Sequence, residues 1–97
     1  MKDIIENLSK TFESRIRLGV MSLLMVNDTM DFNTFKQMLN VTDGNLASHI
    51  SALEKNRLIK IKKKIIGKKM NTSYTATDRG RKEFNEHLTA LEKLIKM

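Results

Sequence analysis

The stretch TDGNLASHISALEK, Thr42–Lys55, decides the fold and predicts a helix with two unlike faces. Leu46, Ile50 and Leu53 recur at spacings of four and three residues, which places them on one apolar stripe. Short side chains on the other face allow close approach to a partner, and Asn and Ser exchange hydrogen bonds with little entropy to lose. That face is polar and almost uncharged, and it comprises Gly44, Asn45, Ser48, Ser51 and Ala52.

Basic residues concentrate directly after this helix. Residues 55–77 hold eight Lys or Arg and no Asp or Glu, which leaves ten basic and eleven acidic residues for the rest of the chain. The net charge of +7 therefore belongs to one segment. Such segregation is typical of an electrostatic contact with a polyanion. The alternative is a solvated hairpin whose lysines serve solubility and protect a strand edge.

Composition excludes several classes of function. The chain has 97 residues, which predicts one domain spanning 1–97, and no cysteine, which excludes disulfides and thiol chemistry. Its two histidines are far apart in sequence, so we expect no metal site and no cofactor, and His87 is expected at the surface. No catalytic constellation is visible, which argues against an enzyme. Because no signal peptide or membrane span is visible, we expect a soluble, cytoplasmic protein without membrane contact.

The helical pattern continues on both sides of the central stretch. It predicts a short amphipathic segment over residues 1–12, a helix capped by Ser14 that ends near Val26, and a helix capped by Asn33 or Thr34. Residues 30–32 suit a very short strand. Thr77 is expected to cap a last helix, along which Phe84, Leu88, Leu91 and Ile95 form one stripe.

From Leu58 the period of the apolar residues changes from 3.6 to 2, which predicts a strand. Ile59, Ile61 and Ile65 are expected on its buried face, in alternation with lysines. Gly67–Lys69 predicts a turn, and residues 71–76 predict the returning strand of a β-hairpin with a basic tip. The fold class is therefore mainly α with a small β-hairpin, and the two brief helices before residue 56 form a helix-turn-helix.

The order of elements and three segments resemble the winged-helix DNA-binding domains of small prokaryotic regulators in the MarR/ArsR-like group. The segments are RIRLGVMSLL (15–24), DFNTFKQMLNVTDGNLASHISALEKNRLI (31–59) and GKKMNTSYTATDRGR (67–81). The resemblance covers about residues 14–85. One departure is Asn56-Arg57, where such proteins usually have a glycine, and we expect Asn56 to adopt the left-handed conformation there.

The resemblance implies a transcriptional regulator that binds double-stranded DNA, with the helix 42–55 in the major groove and the basic wing 60–74 on the backbone and minor groove. It implies base contacts by Asn45 and Ser48, close approach at Gly44, and phosphate contacts by Thr42 and Ser51. A local hydrogen bond to Thr42 is the alternative role of Asn45. His49 is expected either to touch a phosphate or to be half-buried against the short strand. The lysines expected along the DNA are Lys62, Lys64, Lys68 and Lys69.

The terminal helices offer apolar stripes that a small domain cannot easily cover, and we expect them to form a homodimer. Packing of the two helices on each other within one chain is the alternative. A small-molecule effector between the dimer helices stays open, although nothing in the sequence indicates one. The alternative function is a protein–protein interaction module without DNA contacts, against which the segregated charge speaks. The expected dimer contacts are Ile4, Ile5, Leu8, Phe12, Leu88, Leu91 and Ile95.

Overall fold

The computed structural model describes residues Met1–Met97, and its elements follow the predicted order. The N-terminal region holds a short helix and a 3₁₀ turn, and the wing is a β-hairpin between the last two helices. The elements are α1 (Lys2–Glu6), the 3₁₀ turn (Lys10–Glu13), α2 (Arg15–Val26), β1 (Met30–Asp31), α3 (Phe32–Leu39), α4 (Asp43–Lys55), β2 (Ile59–Ile66), β3 (Lys69–Ala76) and α5 (Asp78–Ile95).

Polar side chains begin four of the helices by accepting a backbone N–H that the helix leaves unpaired. Ser14, Thr42 and Thr77 do this for α2, α4 and α5, as the sequence predicts for all three. For α3 the predicted cap, Asn33 or Thr34, is wrong by two or three residues. Asp31 accepts the amide of Thr34 at 2.8 Å, so the helix begins at Phe32.

The core lies where α2, α4 and the base of the hairpin meet. The predicted stripe of α4 is fully inside, since Leu46, Ile50 and Leu53 are all buried. Helix α2 is completely covered at three of its apolar positions, and four others pack partly buried against the same cluster, namely Ile16, Leu18, Leu23 and Met25. The α2 residues without exposed surface are Val20, Met21 and Leu24.

Helix α4 ends without a glycine, at a left-handed residue that is not the one expected. Asn56 keeps a negative φ of −82°, whereas Arg57 has φ +60°. The amide of Leu58 donates to Leu53 O at 3.0 Å and that of Arg57 to Glu54 O at 2.9 Å. This is the bonding pattern of a Schellman motif, and its hydrophobic contact is provided by Leu53 and Leu58, which are both buried. The ending turns the chain straight into β2.

The sheet has the order β1-β3-β2, and both pairs are antiparallel. Strand β1 pairs only with Ser73 and Tyr74, so residues 63–66 and 69–72 extend past it as a two-stranded ribbon. The expected buried face of β2 is therefore wrong beyond its first residue. Ile59 is buried, but Ile61 and Ile65 are 39% and 70% exposed, because only the base of the hairpin is covered by the core.

Candidate nucleic-acid interface

The start of α4 combines three features that favour contact with an anion. Thr42 Oγ1 accepts the amide of Asn45 at 3.3 Å, which fixes the first turn and leaves the hydroxyl proton free to donate. The N-terminal end of a helix carries partial positive charge from its unpaired amides. The carboxylate of Asp43, which would repel a phosphate, is paired with Lys36 Nζ at 2.8 Å.

The outward face of α4 is exposed at four of its five predicted residues, whereas the fifth, Ala52, is half-buried. Gly44, Asn45, Ser48 and Ser51 are exposed, and they stand opposite the buried stripe. The hydrogen bond between Asn45 and Thr42 uses the backbone amide of Asn45 rather than its side chain. No atom lies within 4 Å of the position that a Cβ on Gly44 would occupy. Asn45 and Ser48 are therefore presented to solvent on a face without bulky side chains.

His49 lies at the edge of this face and is held by a residue that the sequence analysis missed. Arg17 Nε, on α2, donates to His49 Nδ1 at 3.0 Å, and both residues are half-buried. Burial, and secondly the charge of Arg17, hold the pKa of His49 below its ordinary value of 6.5. His49 is thus neutral at pH 7 and packs against α2 rather than against the short strand. The available signal for Arg17 was its place as one of two cations at the start of the largely apolar helix α2.

The wing carries its basic residues on an exposed ribbon. Every residue from Lys60 to Asn71 is exposed. The two-residue turn has Gly67 at φ +65° and a negative φ at Lys68, the sign pattern of a type II′ hairpin turn, which favours Gly at its first position. By alternation along β2, Lys60, Lys62 and Lys64 share one face of the ribbon. Lys68 and Lys69 lie at the tip.

A profile of the family described as "Winged helix DNA-binding domain" matches residues 16–95 of the chain. The chain belongs to this family. The match includes the whole of α5 and so extends beyond the segment 14–85 that carries the resemblance seen in the sequence. The predicted fold and the predicted relation to the MarR/ArsR-like winged-helix regulators are confirmed.

Similar proteins come from archaea and bacteria. The chain is 33% identical over 87 residues to an uncharacterized protein of Methanocaldococcus jannaschii, covering 90% of this chain and 95% of that protein. It is 34% identical to a solved transcriptional regulator homologue of Pyrococcus horikoshii OT3, with a TM-score of 0.84 and coverage of 98% and 92% of the two chains. The YusO protein of Bacillus subtilis shares the fold at 16% identity, with a TM-score of 0.78 over 98% of this chain and 70% of that one. The chain is a winged-helix DNA-binding regulator. None of its helices has the length and apolarity needed to cross a membrane.

Several expected dimer contacts are available at the surface, and one is not. Phe12 is only 3% exposed, because the 3₁₀ turn inserts its ring beside Phe84, with ring centroids 5.2 Å apart in an edge-to-face arrangement. Its assignment as a dimer contact is therefore wrong for the folded chain, in which it belongs to the core. Ile4 and Leu8 are half-buried. The exposed candidates are Ile5, Leu88, Leu91 and Ile95.

His87 is buried, which contradicts its expected place at the surface. Its Nδ1 accepts the backbone amide of Ser9 at 2.9 Å, and its ring packs against Phe12. Burial lowers the pKa of His87, although Glu13 and Glu83 act in the opposite direction. Ser9 Oγ donates to Glu83 Oε2 at 3.0 Å rather than to the imidazole, so this trio lacks the bond between nucleophile and base that nucleophilic catalysis needs. The group attaches the N-terminal segment to α5.

Proposed function

We propose that the chain, as one domain spanning residues 1–97, is a homodimeric regulator that recognises specific duplex DNA sequences. Helix α4 enters the major groove, and the wing, residues 60–74, follows the backbone towards the minor groove. The observation that carries the proposal is the exposed small polar face of α4, followed in the chain by a ribbon with basic residues and no acidic ones. A B-form major groove about 12 Å wide admits one helix, and residues near its N-terminus reach the base edges.

Each side chain of the interface has a role that follows from its chemistry. Asn45 and Ser48 contact base edges, because an amide bonds adenine at two atoms and a hydroxyl both donates and accepts. Gly44 permits the close approach, while Thr42 and Ser51 contact phosphates. His49 orients Arg17, whose remaining guanidinium N–H groups are free for a phosphate. The lysines that contact the backbone are Lys62, Lys64, Lys68 and Lys69.

Replacement of Asn45 tests base recognition most directly. With a site selected from genomic fragments, Asn45→Ala should weaken specific binding by about 1–3 kcal/mol and leave binding to unrelated duplexes nearly unchanged. Fluorescence anisotropy with both duplexes measures the two affinities. Asn85→Ala, which removes an exposed amide from α5, is the matched control and should change neither. An equal loss on both duplexes would refute base recognition by Asn45.

Charge reversal at the wing tip tests the backbone contacts. The double variant Lys68→Glu, Lys69→Glu should weaken binding to every duplex by a similar factor, because phosphate contacts carry no sequence information. The double variant Lys82→Glu, Lys93→Glu makes the same change of charge on exposed positions of α5 and should have a much smaller effect. For the wild-type dimer, six to eight phosphate contacts predict a log–log salt slope of roughly −5 to −7. Unchanged binding by the tip variant would place the wing away from DNA.

The dimer is proposed to form through the exposed apolar residues of α1 and α5, with the half-buried Ile4 and Leu8 beside them. Exposed apolar side chains recur along one side of α5 at Leu88, Leu91 and Ile95, and Ile5 adds another on α1. A twofold dimer would present two recognition helices about 34–36 Å apart to a palindromic site. Sedimentation at micromolar concentration that finds only the 11.2 kDa species would refute the dimer.

A further inference from the structure

The tip of the wing exposes apolar side chains that the proposed phosphate contacts do not use. Ile65, Ile66 and Met70 are 70%, 56% and 59% exposed. Ile65 is paired with Met70 across the two strands, so they share one face of the ribbon, and Ile66 lies on the other. One face of the ribbon thus carries an apolar pair near the turn, and the other face carries Ile66 opposite Lys69.

No part of the chain covers this apolar tip. Strand β1 ends its pairing at Ser73, so the last four residues of each hairpin strand form a ribbon that projects about 13 Å before the turn. An exposed apolar strand end promotes pairing with other chains and aggregation. Where such a surface persists in a protein, it commonly marks a binding site. The charges around the tip select what it contacts. Asp31 borders a groove with Ile66 and Met70, but four lysines surround the tip and give it an excess of positive charge, which favours a polyanion with an apolar interior. These lysines are Lys63, Lys64, Lys68 and Lys69.

Duplex DNA offers such an interior only between its stacked bases. Proteins that insert a wedge into the minor groove use Phe, Leu, Ile, Met or Pro, and the tip presents two of these residue types. The dimensions also matter. Two paired strands are about 4.8 Å apart between their axes, before side chains are added, whereas the minor groove of B-form DNA is only about 6 Å wide. A ribbon tip with side chains on both faces therefore enters the groove only if the groove opens.

We propose that Ile65, Ile66 and Met70 form an apolar wedge that opens the minor groove and bends the duplex. The wedge rests on the proposed function, since it requires the wing to lie along DNA. In addition to the proposed contacts, the wedge deforms the DNA site. Recognition therefore also depends on base steps to which the protein donates or accepts no hydrogen bond. Pyrimidine–purine steps such as TA and CA unstack most easily, and they are the preferred sequence under the tip.

Ligase-catalysed circle formation tests the bend without knowledge of the operator. A linear duplex of about 100 base pairs with cohesive ends is shorter than the persistence length of about 150 base pairs, so it closes rarely unless a protein bends it. The wild-type protein should raise the yield of circles. The triple variant Ile65→Ser, Ile66→Ser, Met70→Ser should lower that yield by about fivefold or more at equal occupancy of the DNA, because only the deformation is removed.

Matched measurements separate the outcomes. Val26→Ser removes an exposed apolar side chain from the end of α2 and should form circles like the wild type. Gel shifts on the same duplex measure occupancy, and circular dichroism shows that each variant is folded. Binding without extra circles, or equal circle yields for the triple variant and the wild type, overturns the wedge and leaves the proposed function intact. If the wild type fails to bind DNA, both proposals fall. Binding to phosphatidylserine vesicles that the triple variant loses, with circle formation unchanged, would assign the tip to a lipid surface.

Discussion

Replacement of Gly80 by alanine should destabilise the fold by about 3 kcal/mol, because α5 starts in direct contact with the base of the wing. A Cβ at Gly80 would lie 2.0 Å from the carbonyl oxygen of Leu58 and 2.8 Å from its carbonyl carbon. Both atoms are backbone, so no flexible side chain can move aside. Either α5 or the start of β2 has to shift by about 1 Å to restore an ordinary contact.

The magnitude follows from the bonds that this shift disturbs. Overpacking costs about 1–3 kcal/mol, and the clash with backbone puts this site at the upper end. Leu58 O also accepts the amide of Thr77 at 3.0 Å, and loss of that bond costs about 0.5–1.5 kcal/mol. Alanine has a better helix propensity than glycine, which offsets about 1 kcal/mol of this destabilisation. For a domain of this size, a net loss of about 3 kcal/mol lowers the melting temperature by roughly 12–24 °C.

Gly44→Ala is the control, because it makes the same substitution in a helix where nothing lies within 4 Å of the new Cβ. It should stabilise the fold by about 0.5–1 kcal/mol. Urea denaturation of both variants at one protein concentration measures the difference, which should be about 4 kcal/mol. Free energies of unfolding within about 1 kcal/mol of each other would refute the packing argument. The proposed function further requires Gly44→Ala to weaken DNA binding even though it stabilises the protein.

Three further predictions concern buried and half-buried side chains. The pKa of His87 is lowered in the folded state, so the unfolded chain binds the proton first, and stability should fall as the pH drops below 6.5. In urea titrations at pH 7 and pH 5, His87→Asn should reduce this loss, and an unchanged loss would contradict a buried neutral imidazole. Arg17→Ala should make the salt slope of DNA binding shallower by about 0.9 per lost contact, whereas Lys82→Ala should leave it unchanged. If Arg17→Ala leaves the slope as it was, Arg17 does not contact phosphate. Phe12→Ala should cost about 3–5 kcal/mol and the exposed Ile5→Ala much less. If the loss of stability in Phe12→Ala varies with protein concentration, Phe12 is a dimer contact after all.

Local sequence patterns were sufficient for most of the architecture. The 3.6-residue period of Leu46, Ile50 and Leu53 correctly identified the inner side of α4, and so left its outer side for a partner. The caps Ser14, Thr42 and Thr77 correctly located the starts of three helices, since a cap acts on amides only two or three residues away. These features depend on neighbours in sequence, and they are therefore visible in the sequence.

Apart from the cap of α3, which was misplaced locally, the errors concern how separate elements are placed relative to one another. Period 2 in β2 predicted a buried face, but burial requires an element on top, and only the tertiary structure shows that the ribbon extends past β1. Phe12 and His87 resembled surface residues of terminal helices, and they are buried because residues 75 positions apart pack together. The assignment of the left-handed residue to Asn56 instead of Arg57 followed residue preference, whereas the path into β2 decided the geometry.

The sequence by itself determined the order of elements, the polar face of α4 and the concentration of positive charge in the wing. Each of these is a property of consecutive residues, set by periodicity, capping and composition. Only the tertiary structure decided that Arg17 meets His49, that Ser9 and Glu83 hold the N-terminal segment on α5, and that the apolar tip of the wing stays uncovered. The physical reason is that these contacts join separate elements, whose relative placement is set by packing of the whole core and not by any local preference.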